Sequence, residues 1–463
     1  MSETSCTYLC ALHTITCTYM VKNLYIRIYI PLLLCLLATS LTSCYTPDDL
    51  KNDADDPAYI ESGLVSYDGD NPVIPGQYII LLKEDEEGEI DLLPDEEGER
   101  LQKSANGGQI LFKAQDSKLQ RGQSIFKRNG LDQSKVNQAF ADDGSTFMAE
   151  LTEKEAQKLM DDPDVEIVEE DRVIALNFEP LIRTPFIPSE ENTGKNGNIP
   201  NAKMDADGDY ETYGVERIGG SVNFENSEHW EDRFVWIVDT GLDTDHPDLN
   251  IVHGYSESFV RGSSYEDSHG HGTHVAGVVA AKDNGFGTVG VAAGAKVVAV
   301  KVLDDKGNGK VSAIISALYY IRRHSLPNDV VNISVGGRSS RAIIRLVKRL
   351  GRRGVHVVCA AGNRGKDVRE TSPANANGIN VYTVGAINWD DIYTAYSNFG
   401  GGVDFAAPGE GILSTYLDGK YAYLSGTSMA APHAAGVMVL TEGFYNTSGQ
   451  TWAHNRYLSV ISR

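Results

Sequence analysis

Val235-Trp236-Ile237-Val238-Asp239-Thr240-Gly241 is an apolar run that ends in an aspartate and a glycine turn. No position from 234 to 238 is polar, so a strand here has both faces covered, as in a parallel sheet. The same texture recurs outward from it. Short β-rich runs at 297–302, 330–335, 355–360 and 381–384 alternate with helical segments. This alternation predicts an α/β fold from about Tyr213 onward: a parallel sheet with helices on both faces. No repeat of fixed period is visible.

The preceding stretch has a different grain. Tyr78-Ile79-Ile80-Leu81-Leu82 suits a strand, and an acidic loop (84–87, then 95–97) follows. Residues 116–129 read as helical. Alternation at Phe147, Ala149 and Leu151 reads as a strand. Thr152-Glu153-Lys154-Glu155 is a capping-box pattern that opens a helix to Met160, and Asp162-Pro163 stops it. Residues 165–168 make another short strand. Residues 75–178 therefore form a small α+β unit, set between polar linkers at 45–74 and 179–212. The second linker is rich in Pro, Gly and Asn and is a natural place for proteolysis.

Composition narrows the function. The 463 residues predict two or three domains, and a formal charge of −23 argues against nucleic acid as a partner. Of six cysteines, five lie in the first 44 residues and only Cys359 lies beyond. That pattern cannot build a disulfide framework or a four-cysteine zinc site. Cys359 sits in an apolar run and reads as a buried small hydrophobe.

Three segments carry candidate chemistry. The first is the opening stretch, which ends at Asp239. The second is His269-Gly270-His271-Gly272-Thr273-His274-Val275-Ala276-Gly277. The third is Gly426-Thr427-Ser428-Met429-Ala430-Ala431-Pro432-His433. Taken singly they read as a turn, a structural or metal-binding histidine pair, and a helix cap. The histidine spacing is not His-Glu-x-x-His, which disfavours a zinc hydrolase. Together they place Asp, His and Ser in order on an α/β sheet, one of the chain orders in which a serine-hydrolase triad occurs.

The three segments resemble the signature motifs of the subtilases, the subtilisin-like serine proteases, over about 213–440. The resemblance implies that Ser428 is the nucleophile and His271 its general base. Asp239 would fix the imidazole tautomer. Asn363, in Ala360-Ala361-Gly362-Asn363, matches the side-chain donor of the oxyanion hole. The segment Ser334-Val335-Gly336 resembles the edge that pairs with a polypeptide substrate, and Ala360-Ala361-Gly362 resembles the other wall of the first specificity pocket. Broad apolar or aromatic preference is the expectation, with Arg369 and Glu370 near enough in sequence to change it. The resemblance makes His274 a packing and hydrogen-bonding residue, whereas His269 and His433 receive no role.

A structural calcium is also implied. The loop Lys282-Asp283-Asn284-Gly285-Phe286-Gly287-Thr288 matches the family's calcium loop. It would supply the Asn284 side chain and the carbonyls of Lys282, Phe286 and Thr288, with Asp248 as the carboxylate. Asp404 would join a second, weaker site with carbonyls near Val381.

Residues 75–178 resemble the family's inhibitor-type pro-domain, with a ferredoxin-like α+β architecture. In that family the domain assists folding, occupies the active cleft with its C-terminal strand and is removed by autocleavage, here within 177–212. The first 44 residues read as a leader. Lys22 and Arg27 precede the apolar run 28–41, and Leu41-Thr42-Ser43-Cys44 resembles the lipobox of bacterial lipoproteins, with Met20 as the natural start. Cys44 is then the lipidated residue. The expected location is the bacterial cell envelope, with the catalytic domain held by its pro-domain or released outside the cell. The catalytic domain is set at 213–463. Residues 441–463 read as polar and aromatic and stop resembling the family, so the helix after Ser428 is expected to lack its usual cover. Two function classes follow: an active serine endopeptidase, or a catalytically weak lipoprotein that binds peptides in the same cleft.

Overall fold

The computed structural model describes residues 72–83, 115–141, 144–176, 202–204, 208–224 and 232–463. The chain divides into two units, Met1–Gly63 and Leu64–Arg463, and every described residue belongs to the second. The leader, Cys44, the acidic loop and most of the linker 179–212 lie outside the described residues. Among the described residues no helix is long and apolar enough to cross a membrane.

The N-terminal half is an antiparallel sheet with two helices. Its strands are β1 (Val73–Leu82), β2 (Val136–Ala139), β3 (Thr146–Glu150) and β4 (Val165–Ala175). Its helices are α1 (Gln115–Arg128) and α2 (Glu153–Met160). Both bonds of the expected capping box form: Thr152 Oγ1 accepts the Glu155 N–H at 3.3 Å, and Glu155 Oε2 accepts the Thr152 N–H at 2.9 Å. Ile79 to Leu82 are all buried because both faces of β1 are covered. Ile80 and Leu82 pack with Phe126, Phe147 and Leu159 in this half's own core. Ile79 and Leu81 point the other way, into a cluster shared with Val311, Ile315 and Leu318 of the C-terminal half.

The C-terminal half is built on a ten-stranded sheet. Its central strands, in spatial order, are β6 (Lys296–Lys301), β5 (Phe234–Asp239), β8 (Val330–Ile333), β9 (His356–Ala360), β10 (Val381–Ile387) and β11 (Phe405–Pro408), all parallel. Alternation along β5 divides the core. Val235 and Ile237 pack with α3 (His271–Ala280) and α6 (Thr427–Thr441). Phe234, Trp236 and Val238 pack with α4 (Val311–His324) and α5 (Arg341–Arg352) on the other face. This is why the sequence there is continuously apolar.

Three expectations need correction. The strand read as 165–168 runs on to Ala175 through Glu169-Glu170-Asp171-Arg172. Tertiary contacts override the polar sequence, since β4 pairs with β1 and then with β7 (Asn308–Lys310) of the other half. Within the stretch read as linker, Ala202–Met204 pairs with Tyr210–Thr212, and Tyr210 is buried. Residues 441–463 do not leave the sheet bare. They form a hairpin of β14 (Asn446–Ala453) and β15 (Arg456–Ser462), with β15 joining β11 in parallel. Leu458, Val460 and Ile461 turn inward while Trp452 and Tyr457 face solvent, so the segment's polar-aromatic look is that of its outer face. All of α6 from Thr427 to Leu440 is buried.

Candidate active site

Asp239 ends β5 with its side chain fully buried. The chain then turns through Gly241, at φ +111°, where a Cβ would sit 2.5 Å from Tyr265 O. Only glycine fits there. Asp239 Oδ1 accepts the Thr240 N–H at 2.7 Å and lies 2.7 Å from His271 Nδ1. Asp239 Oδ2 is buried and makes no hydrogen bond among the described residues. His271 opens α3. A Cβ on Gly272 would be 2.2 Å from Gly241 O, so glycine lets the helix start come up against the turn that carries Asp239. Burial by itself disfavours the imidazolium of His271. The adjacent, hydrogen-bonded Asp239 carboxylate outweighs burial and holds His271 above its ordinary value.

Ser428 lies in the first turn of α6 and is 7% exposed. Its Oγ donates to Ser334 O at 3.1 Å, and Ser334 Oγ donates back to Ser428 O at 3.0 Å. Among the described residues the hydrogen bond of Ser428 Oγ therefore goes to Ser334 and not to His271. Asn363 stands beside the same helix end. Its Oδ1 accepts both the Thr427 N–H and the Thr427 hydroxyl at 2.8 Å, which leaves Nδ2 as the donor turned away from Thr427.

The two expected edges leave the same end of neighbouring parallel strands, Ser334-Val335-Gly336 after β8 and Ala360-Ala361-Gly362 at the end of β9. Ser334, Val335 and Ala361 are buried, and Gly336, Ala360 and Gly362 are partly exposed. Arg369 and Glu370 are exposed, and Arg369 Nε pairs with Asp367 at 3.0 Å.

Sequence reading missed several participants. Asp267 organises the start of α3: Oδ1 accepts the N–H groups of His269 and Gly270, and Oδ2 accepts the Thr273 N–H and hydroxyl. An acidic residue four positions before a helical histidine was the available signal. Lys301 is fully buried with its Nζ donating to Thr240 O, and a lone lysine in an apolar strand run marked it. Segment β7 pairs antiparallel with Val173–Ala175 in register Asn308↔Ala175, and Gly307 O accepts the Leu176 N–H at 3.0 Å. Nothing in its sequence announced a strand-binding edge. Two carboxylates of β4 also cap helices across this interface. Asp171 accepts the Ser312 N–H and hydroxyl at the start of α4. Glu169 accepts the Ser340 hydroxyl and the Arg341 N–H at the start of α5. Burial raises both carboxyls above their ordinary values despite these bonds.

His274 and His433 are held by backbone carbonyls. His274 Nε2 lies 3.0 Å from Ile412 O and 3.1 Å from Ala422 O, in the hairpin of β12 (Ile412–Tyr416) and β13 (Lys420–Leu424). Burial pushes His274 down to about 3, so it stays neutral. His433 is held through Nδ1 at 2.8 Å from Met429 O and is pushed down to about 4 by burial. His269 is partly buried, its ring 6.3 Å from that of His271. Cys359 is fully buried, which raises its thiol.

Around the loop 282–288, Asp248 is fully buried. Its Oδ1 accepts Asn284 Nδ2 at 3.1 Å, and Oδ2 accepts the Tyr421 hydroxyl at 2.9 Å and the Thr288 N–H at 3.3 Å. A second buried carboxylate, Asp209, accepts the N–H groups of Gly285 and Phe286 in the same loop. The sequence signal for it was the repeated aspartate at 205, 207 and 209. Burial pushes the Asp248 carboxyl up to about 7, with the charge of Asp209 adding to the rise. Thr288 Oγ1 is buried without a hydrogen bond among the described residues. Two buried carboxylates beside an orphaned hydroxyl fit a hard cation with oxygen ligands. Among the described residues no three or more His, Cys, Asp or Glu side chains converge as a metal cluster, so most donors would be carbonyl oxygens. The Lys282 N–H donates to Asp248 O. Asp404 stands apart from these contacts, its Oδ2 accepting the Thr383 N–H at 2.8 Å on β10.

Comparison with known proteins places these features in context. The profile described as "Subtilase family" matches residues 231–460, and that described as "Peptidase inhibitor I9" matches residues 77–177. Subtilisin DY of Bacillus licheniformis is 41% identical over 233 residues, covering 49% of this chain and 83% of that protein. Proteinase R of Parengyodontium album is 33% identical over 325 residues, covering 68% of this chain and 73% of that protein.

Proposed function

The chain belongs to the subtilase family of serine proteases and carries an I9 pro-domain, and from that premise we propose that Asp239, His271 and Ser428 hydrolyse peptide bonds as one triad. The observation that carries this reading is the 2.7 Å contact between His271 Nδ1 and buried Asp239. It fixes the tautomer that leaves Nε2 free to accept a proton. Ser428 rotates from Ser334 O toward that nitrogen and attacks the scissile carbonyl as its proton passes to His271. The oxyanion is met by the Ser428 N–H and by Asn363 Nδ2, whose amide is held in place by Thr427. His271 then protonates the leaving amine, and water resolves the acyl-enzyme by the same steps in reverse order. Substrate lies along the edges 334–336 and 360–362. Segment β7 supplies a further strand edge, the one on which the pro-domain strand now lies.

The precursor processes itself within 177–212, and the pro-domain stays bound through the caps that Glu169 and Asp171 place on α5 and α4. Asp248 and Asp209, with Asn284 and the carbonyls of Lys282, Phe286 and Thr288, would hold a calcium ion. When bound it supplies charge balance and stiffness to the loop, and no reaction step passes through it. Chelation should lower the melting temperature of the wild type but not of Asp248→Asn; equal melting curves for the wild type with and without chelator would refute the site. Cys44 anchors the precursor through lipid to a bacterial membrane, so a cut beyond it leaves the catalytic domain held only by its pro-domain. Metabolic labelling with a fatty acid, lost in Cys44→Ala, tests the anchor.

One observation favours a second reading, a peptide-binding protein of low activity: Ser428 Oγ is bonded to Ser334 O. A fluorophosphonate probe separates the two. Labelling of Ser428 that is lost in His271→Ala supports the triad, and absence of labelling supports the binding protein.

A further inference from the structure

Between Asp329 and Asp367 the chain has no acidic residue, and the stretch 338–366 holds nine Lys and Arg in a protein of formal charge −23. The proposed reaction uses none of this charge. Most of it lies on α5, whose buried side carries Ala342, Ile343, Leu346, Val347 and Leu350. Arg341, Arg345, Lys348 and Arg352, spaced i, i+4, i+7 and i+11, share the other side over about 16 Å of helix. Arg341 and Arg352 are exposed.

The pro-domain shows what this face accepts. Glu166 of β4 pairs with Arg345. Glu169 of the same strand accepts the Ser340 hydroxyl and the Arg341 N–H, at the helix end where a negative charge is favoured. Both carboxylates belong to one extended segment, and these contacts use the first half of the stripe. Lys348 and Arg352 carry it two turns further. Burial and the neighbouring Arg352 hold the Arg345 guanidinium below its ordinary value, consistent with a face that has surplus positive charge.

We propose that the α5 stripe is a docking surface for an acidic, extended polypeptide, and that the pro-domain's acidic strand covers it in the precursor. When the pro-domain leaves, a substrate or inhibitor segment rich in Asp and Glu takes the place of Glu166 and Glu169. The observed contacts favour a polypeptide over other polyanions, because they are single carboxylates on a strand meeting a helix N–H, a hydroxyl and a guanidinium. This goes beyond the protease reading and is measured as binding, without turnover.

The test uses residues 45–463 carrying Ser428→Ala, so that the chain stays uncut, and a labelled peptide of alternating Glu and Val read by fluorescence anisotropy at low salt. Adding Glu166→Gln with Glu169→Gln removes the two carboxylates that compete for the stripe and should tighten binding roughly tenfold. Arg345→Gln with Arg352→Gln should remove that gain, and high salt should remove it too. No gain on removing the two carboxylates, or a gain that survives loss of the two arginines, overturns the proposal. Melting curves report whether each variant is folded. If the glutamine pair fails to fold, Lys348→Gln with Arg352→Gln in the Ser428→Ala chain must weaken the basal binding about twofold; unchanged binding overturns the proposal. Tighter binding of a sulfated polysaccharide or of phosphatidylglycerol vesicles than of the peptide, at equal charge, overturns the polypeptide assignment.

Discussion

Asp239 and Asp171 are both fully buried carboxylates on strands, yet they are used differently. Both oxygens of Asp171 are occupied by the N–H and hydroxyl of Ser312 across the pro-domain interface. Asp239 has one oxygen occupied, facing an imidazole, and one buried without a partner among the described residues. A saturated carboxylate fixes geometry and has nothing left to exchange. A half-satisfied one beside a titratable ring is arranged to stabilise a charge that appears only during reaction. The same contrast separates Asp267, whose four accepted bonds build a helix start, from Asp239 at the strand end beside it.

The comparison can be broken most forcefully at the half-satisfied end. His271→Ala should lower kcat by about 10⁴–10⁶-fold, and Asp239→Asn by about 10⁴-fold. Peptidase assays on the two variants, with unchanged melting curves, would establish it; activity within tenfold of wild type for either would refute the assignment. Next in size is Asn363→Ala, expected to cost about 10²–10³-fold in kcat with KM nearly unchanged. A change confined to KM would move Asn363 from the oxyanion to ground-state binding.

The pH dependence sharpens the contrast because the two regions titrate in opposite senses. Asp239 raises His271, and only the neutral ring can take the Ser428 proton. The acid limb of kcat/KM should therefore lie above the ordinary histidine value of about 6.5. A limb at or below that value would contradict the arrangement. Glu169 and Asp171 are raised on burial, so the docked state holds protons that the free pro-domain gives up. Its docking stability is complete below the ordinary carboxylate range and falls as pH rises through the raised values. Faster pro-domain departure from the processed complex as pH rises through that window should follow. Glu169→Gln with Asp171→Asn should flatten the dependence, at a change in affinity of about 1–3 kcal/mol.

The contrast also explains what could be read from the sequence. Asp239, His271 and Ser428 stand in glycine-rich contexts that the backbone demands, so Gly241 and Gly272 advertise them. The capping box of α2 was legible because all its partners lie within four residues. Glu169 and Asp171 carried no local signal of their capping role, since their partners Ser340 and Ser312 are 171 and 141 residues away. Asp209 was hidden in the linker for the same reason, its partners being 76 and 77 residues away. Strand β7 was missed because three residues carry no periodicity, and a strand of that length exists only through the partner it pairs with. The C-terminal hairpin was misjudged because its outer aromatics dominate the composition while Leu458, Val460 and Ile461 do the packing.

The most direct test of the account is intact mass and N-terminal sequencing of purified residues 45–463 beside the same chain carrying Ser428→Ala. The account predicts a cut within 177–212 in the wild type and an uncut mutant. An uncut wild type, or a mutant cut at the same place, would contradict it.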